Sequence, residues 1–199
     1  GYDKIKHIYN GVSSNIHDDT DNGKFNLRQY SDIGKKKILI CLANYEPRKG
    51  HEFILNAYQL VLFANPNVVL IFAGGGEGAY KRQIEKMADE KFSYGDVHFF
   101  GFLNNSKDLI NQADVLLIGS QRFESFGLTA VEAMSLGKPV VSTSVGGLVE
   151  VIGEEEAAGF LVDRNDPLQF SEKILLLLCN PKLRRKMGIA GKKRIKKLF

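Results

Sequence analysis

From residue 37 to residue 179, short apolar runs alternate with helix-period segments, and this alternation restricts the chain to one class of fold. KILICLA (37–43), NVVLIFAG (67–74), DVHFFG (96–101), DVLLIG (114–119), KPVVSTS (138–144) and GFLV (159–162) read as strands. HEFILNAYQLVLFA (51–64), AYKRQIEKMADEKF (79–92), SKDLINQA (106–113), FGLTAVEAMSLG (126–137) and PLQFSEKILLLLC (167–179) read as helices, with Gly137 as a stop signal. Strands apolar on both faces, each followed by a helix, require a parallel sheet with right-handed crossovers. The predicted class is α/β, a Rossmann-like parallel sheet with helices on both faces. Such sheets bind ligands outside the carboxyl ends of their strands.

The flanks read differently. Residues 1–36 include SSNIHDDTDNGKFNLRQYSDIGK, polar and without a period, and are expected to be a linker leading in from a preceding domain. The chain opens with Gly rather than Met and reads as a piece of a longer protein. Residues 37–181 form the predicted domain. Residues 182–199 form a basic C-terminal helix holding nine of the chain's Lys and Arg and no acid, which leaves a net −5 for the rest when taken from the overall +4. The basicity therefore belongs to the tail and does not indicate a nucleic-acid face. The tail reads as a solvated helix, or as a peripheral contact with anionic lipid through Leu183, Met187, Ile195, Leu198 and Phe199; Gly188 and Gly191 weaken it.

No apolar run approaches the ~20 residues of a membrane-spanning helix, and the opening residues are not expected to act as a secretory leader. Cys41 and Cys179 lie in apolar runs and are expected to be buried free thiols, which suits a reducing, cytoplasmic setting. Neither has the neighbours of a zinc site.

Four strand-end segments carry candidate chemistry. In NYEPRKGHEF, Pro47 stiffens a loop that presents Arg48 and Lys49 ahead of a helix N-terminus, either an anion site or two solvated cations. AGGGEGAY (73–80) matches G-x-G-x-x-A, yet no acid ends the next strand as a dinucleotide site requires, so Gly74 and Gly75 read as a close approach for a nucleotide. In FFGFL (99–103), backbone groups around Gly101, Phe102 and Leu103 could read a base edge, while Phe99 and Phe100 pack the core. In QRFESFGLTAVEAMSLG, Ser125 is the expected N-cap of a helix starting near Phe126 and Gly127. Glu124 stands before it, and Glu132 falls inside it among apolar residues. A carboxylate there needs partners, either ribose hydroxyls or an ion pair.

ESFGLTAVE, with eight positions from Glu124 to Glu132, resembles the E-x7-E motif of retaining glycosyltransferases of the GT-B fold, family 4 of the glycosyl transferases group 1. HIYNGV, EPRKGHEFILNAY, ADVLLIGS, EAMSLGKPVVSTSVGGLVEVI and GFLV are similar to that family's segments in the same order. The resemblance implies the donor-binding C-terminal half of such an enzyme. It implies that Glu124 contacts the donor sugar, that the amides of Ser125, Phe126, Gly127 and Leu128 meet sugar and diphosphate, and that Glu132 binds ribose. It also implies that Lys49, assisted by Arg48, holds the departing diphosphate. Where the family often has Gly-Arg at the first strand end, this sequence has Ala43-Asn44; Asn44 can donate a hydrogen bond but brings no charge.

The implied donor is a nucleotide sugar, a UDP-sugar in preference to a GDP-sugar, with no cofactor and no metal. Asp19-x-Asp21 reads as a solvated loop rather than a metal-binding pair. The acceptor, a glycan or lipid-linked glycan, would come through an N-terminal domain, and the chain alone would bind donor without turnover. A non-catalytic sugar-nucleotide module and a sugar-nucleotide epimerase are the alternatives.

Overall fold

The computed structural model describes residues 25–153 and 157–199. The strands are β1 (Lys37–Leu42), β2 (Val68–Ala73), β3 (Val97–Phe100), β4 (Val115–Ile118), β5 (Val140–Thr143) and β6 (Gly159–Val162). The helices are α1 (His51–Ala64), α2 (Ala79–Lys91), α3 (Ser106–Gln112), α4 (Leu128–Ser135), α5 (Gly147–Ile152), α6 (Pro167–Cys179) and α7 (Pro181–Leu198). The strands pair in parallel in the order β3-β2-β1-β4-β5-β6. This is the Rossmann-like sheet that the alternating pattern predicts.

The alternation within each strand divides the core in two. Leu39, Cys41, Leu70, Phe72 and Leu117 face a cluster completed by α1, α2 and α6. Ile38, Ile40, Val69, Ile71 and Leu116 face the other, completed by α3, α4 and α5. Because β1 runs to β2 and β3 on one side, and the chain then crosses back to place β4 on the other, the switch in strand order falls between β1 and β4. Open α/β sheets hold ligands at that point.

Three expectations are corrected. The packed domain begins well before residue 37: Leu27 and Ile33 are fully buried, and the Gln112 side chain ties this segment down, accepting from Leu27 N (2.8 Å) and donating to the Phe25 carbonyl (2.6 Å). The segment has no period because a 3₁₀ turn (Leu27–Gln29) and a few anchors hold it, with no regular face to pattern. α5 was not expected; six residues rich in β-branched side chains carry too little helical period to be seen. Cys179 is exposed, whereas Cys41 is buried.

The tail is part of the domain. Met187 and Ile195, expected on a free apolar side, are buried in the two core clusters. The Phe199 ring meets Phe126 edge-on at 5.4 Å between centroids. Leu183 packs against the first core cluster, and Leu198 is 40% exposed. Gly188 is the seat of α7 on α4: a Cβ there would lie 2.0 Å from the Gly137 carbonyl oxygen, so this glycine admits the contact rather than merely weakening the helix. The HIYNGV segment and Asp19-x-Asp21 lie outside the described residues. No helix among the described residues is long and apolar enough to cross a membrane.

Gly188→Val should push α7 off α4 and lower stability by roughly 1–3 kcal/mol, the usual cost of overpacking a tight contact. Chemical denaturation read by circular dichroism checks this, and an unchanged midpoint would show that the contact is not needed.

Candidate functional site

The loops after β1 and β4 meet at the switch point. After β1, Pro47–Lys49 makes a 3₁₀ turn, and Gly50 takes a left-handed conformation (φ 69°) before α1. A Cβ on Gly50 would fall 1.9 Å from the Gly119 carbonyl oxygen, in the loop after β4, so only glycine lets the two loops touch. The Gln121 N–H donates to the Arg48 carbonyl at 2.7 Å across the same junction.

This junction brings Lys49 and Glu124 together from 75 positions apart. Lys49 Nζ lies 2.5 Å from Glu124 Oε2, and the side chains are 18% and 13% exposed. The Ser120 hydroxyl donates to the same oxygen at 3.2 Å. Ser120 is itself buried, and its carbonyl accepts from Thr143 Oγ1 at 2.6 Å. Both charged groups line a cleft of ≈ 230 Å³ with Ser125, Phe126, Gly127, Leu128 and Thr129.

The expected cap at Ser125 is corrected. Gly127 is the N-cap of α4, left-handed at φ 86°, with no side-chain cap hydrogen bond. The chain must turn sharply there because Glu124 and Ser125 are drawn against the loop after β5: Gly147 N–H donates to the Glu124 carbonyl at 2.9 Å. α3, α6 and α7 are capped by Asn105, Asp166 and Asn180. α4, whose start lines the cleft, has no such cap, so its first amides, at Leu128 and Thr129, are not taken up by a capping side chain and face an anion's approach.

A second cleft of ≈ 300 Å³ adjoins the first and shares Lys49 and Thr129 with it. Asn44, Arg48, Gly74, Phe102, Leu103 and Ser106 also line it. Asn44 Oδ1 accepts from the Gly75 N–H at 3.3 Å, and the Gly74 N–H donates to the Gly101 carbonyl at 3.2 Å. Gly75 and Gly101 thus serve to join the loops behind the cleft. Phe102 is 75% exposed, while Phe99 and Phe100 pack against the core as expected.

Two expected groups differ in setting. Arg48 Nε is paired with Glu46 at 2.6 Å, which offsets part of the charge it brings to the cleft. Glu132 is half-buried rather than enclosed in the helix core, and no ion pair to it occurs among the described residues. It accepts a hydrogen bond from Ser106 Oγ at 3.2 Å and so connects to the second cleft. Sequence reasoning missed Ser106, Ser120 and Thr129; short hydroxyl side chains at helix starts and strand ends carry no spacing signal. Among the described residues no three His, Cys, Asp or Glu side chains gather as a metal site would need.

The chain matches the glycosyl transferases group 1 family over residues 24–194. It belongs to that family. Its relatives include N-acetyl-alpha-D-glucosaminyl L-malate synthase of Bacillus anthracis, 26% identical over 98% of this chain and 50% of that protein. D-inositol 3-phosphate glycosyltransferase of Corynebacterium diphtheriae is 33% identical over 78% of this chain and 37% of that protein. Among solved structures, Anabaena HepE in complex with UDP-glucose superposes with TM-score 0.86 at 24% identity, over 98% of this chain and 53% of that one. The C-terminal domain of a group 1 glycosyl transferase from Francisella tularensis superposes with TM-score 0.72 at 24% identity, over 88% of this chain and 93% of that one. These structural likenesses show a shared fold, that of one half of GT-B proteins. The chain spans half or less of the length of its first curated relatives.

Beneath the Lys49 turn, His51 is fully buried, stacked on Tyr45 at 4.9 Å and set against Phe72. Among the described residues no hydrogen-bond partner meets either ring nitrogen, although the Ala43 backbone lies near enough to oppose the shift in part. Burial, aided by the nearby Lys49 charge, lowers its pKa from 6.5 to about 4. The unfolded chain then binds the extra proton between these values, so stability rises with pH in this window. Full stability holds above pH ~6.5 and is lost as pH falls toward ~4, by on the order of 3 kcal/mol from this group. Urea titrations from pH 7 to 4 should show a loss that His51→Phe largely removes; the same slope in both proteins would place its origin elsewhere.

Proposed function

We propose that this chain is the donor-binding half of a retaining glycosyltransferase, which moves a sugar from a nucleoside-diphosphate sugar to an acceptor hydroxyl. The observation that carries this reading is the convergence of Lys49 and Glu124 at the switch-point cleft, beside the uncapped start of α4. Cleaving the bond from the anomeric carbon to the diphosphate builds negative charge on the leaving group and positive character on the sugar. Lys49 and the amides of Ser125–Leu128 are fixed where they would stabilise the leaving diphosphate without rearrangement. Arg48, held by Glu46, assists at the rim. Glu124 takes a sugar hydroxyl. Glu132, steadied by Ser106, takes the ribose, and the base lies toward Phe102 and Leu103.

The acceptor, a saccharide or lipid-linked glycan, attacks the same face of the sugar from a second domain, giving retention. A UDP-sugar is favoured over a GDP-sugar, a preference supported by the complex of HepE with UDP-glucose. No cofactor enters this reading, because Lys49 and the helix start supply positive charge where a divalent ion would otherwise act.

Glu132→Ala should weaken UDP binding by about 1–3 kcal/mol, and Ser106→Ala by less, as bonds to ribose are lost or loosened. A dideoxyribose analogue of UDP should bind both variants as it binds the parent. Calorimetry with the two ligands tests the assignment; equal losses for UDP and for the analogue would remove Glu132 from the ribose. Chelation with EDTA should leave donor binding unchanged, and an obligatory magnesium or manganese requirement would overturn the metal-free reading.

A further inference from the structure

The Lys49–Glu124 pair has a consequence for ligand choice that the sugar contact alone does not supply. Glu124 Oε2 takes Lys49 Nζ at 2.5 Å and Ser120 Oγ at 3.2 Å. The side chains are mostly shielded from solvent, so their charges are less screened than on an open surface. Glu124 is also fixed through its backbone. Its carbonyl accepts from Gly147 N–H at 2.9 Å, and a Cβ on Gly146 would lie 2.2 Å from that carbonyl oxygen. The carboxylate is thus held beside Lys49 by the Lys49 and Ser120 contacts, on a backbone that is itself fixed.

We propose that Glu124 is a built-in counter-ion of the phosphate site, which suppresses affinity for a bare nucleoside diphosphate and so favours the intact donor over the spent one. This rests on the reading of Lys49 as the diphosphate contact. A diphosphate reaching Lys49 brings its charge beside a fixed carboxylate, and that repulsion opposes binding. When the diphosphate carries a sugar, a hydroxyl can donate to Oε1, to which no described residue donates, and the carboxylate becomes a favourable partner. Once the sugar has been transferred, that hydroxyl leaves with it. Two anions then remain side by side, which drives the diphosphate out. Glu124 thus sets the discrimination between substrate and product as well as touching the sugar.

The test is calorimetry on the 199-residue chain with UMP, UDP, GDP and UDP-glucose, using the parent, Glu124→Gln, Glu124→Ala and Lys49→Ala. Glutamine keeps an oxygen for the Ser120 hydroxyl and removes the charge; alanine guards against an effect peculiar to the amide. The nucleoside diphosphate that the parent binds should bind the Glu124 variants roughly three- to thirtyfold tighter. UMP should change by less than about twofold, because it lacks the distal phosphate, and the preference for UDP-glucose over UDP should fall. Unchanged or weaker diphosphate binding in both Glu124 variants, with a parent that binds it through Lys49, overturns the counter-ion role and leaves the donor-site reading standing. A parent that binds neither UDP nor GDP, or binds them equally well as Lys49→Ala, overturns that reading and the proposal together.

Discussion

The contact on which the rest of the site depends is between two backbones. Gly50 and Gly119 lie so close that a single methyl group would strike a carbonyl, and both belong to loops leaving the central strands. β1 and β4 run parallel and adjacent. Their exits would diverge as separate loops if neither could be approached at van der Waals distance. With glycine on each side they press together, and the turn holding Lys49 is carried onto the loop holding Glu124. A third loop, after β5, closes on the second through Gly146 and Gly147. The polar groups are held by the stacking of these loops, with little demand on the flexible side chains themselves.

The electrostatics follow from that rigidity. A lysine surrounded by solvent would be a generic anion trap. Here the same charge is shared with a carboxylate, a buried serine hydroxyl and the positive end of uncapped α4, all within one small cleft. The cleft therefore holds charges of both signs at fixed separation. An anion entering the cleft would meet attraction and repulsion at fixed places. His51, two residues after Lys49, packs on Tyr45 and Phe72 as a neutral ring, kept uncharged by its burial and by the nearby Lys49 charge.

The sheet and its helices were legible in the sequence because parallel strands buried on both faces leave unbroken apolar runs, which β1 and β2 show most clearly. Part of the first cleft was legible for a different reason: Lys49, Glu124 and the α4 start follow strand ends, and Glu124 and Glu132 carry the E-x7-E spacing, whereas Ser120 and Thr129 in the same cleft were not seen. What was not legible depends on tertiary contact. The N-cap of α4 moved from Ser125 to Gly127 because a neighbouring loop, distant in sequence, dictates the turn. Residues 25–36 joined the domain through Leu27, Ile33 and the side chain of Gln112, none of which makes a pattern by itself. Gly188 and Gly191 looked like helix breakers, and the partner that requires Gly188 to be small, Gly137, lies in the turn after α4, distant in sequence.

The separation of Lys49 and Glu124 along the chain also bears on how the molecule assembles. β1 pairs with β2 across a single helix, but its pairing with β4, Leu39 against Val115, closes a loop that contains two further strands and their helices. Such long-range closures carry the larger entropic cost and belong to the slower part of folding. A partly folded chain holding β1, β2 and β3 would already possess the Lys49 turn and the glycine loop, yet have no second wall for the cleft. The cleft is thus a property of the finished sheet. By mass action any ligand held between the two loops would stabilise the β1–β4 junction that forms its walls, so occupancy of the cleft and closure of the sheet are linked.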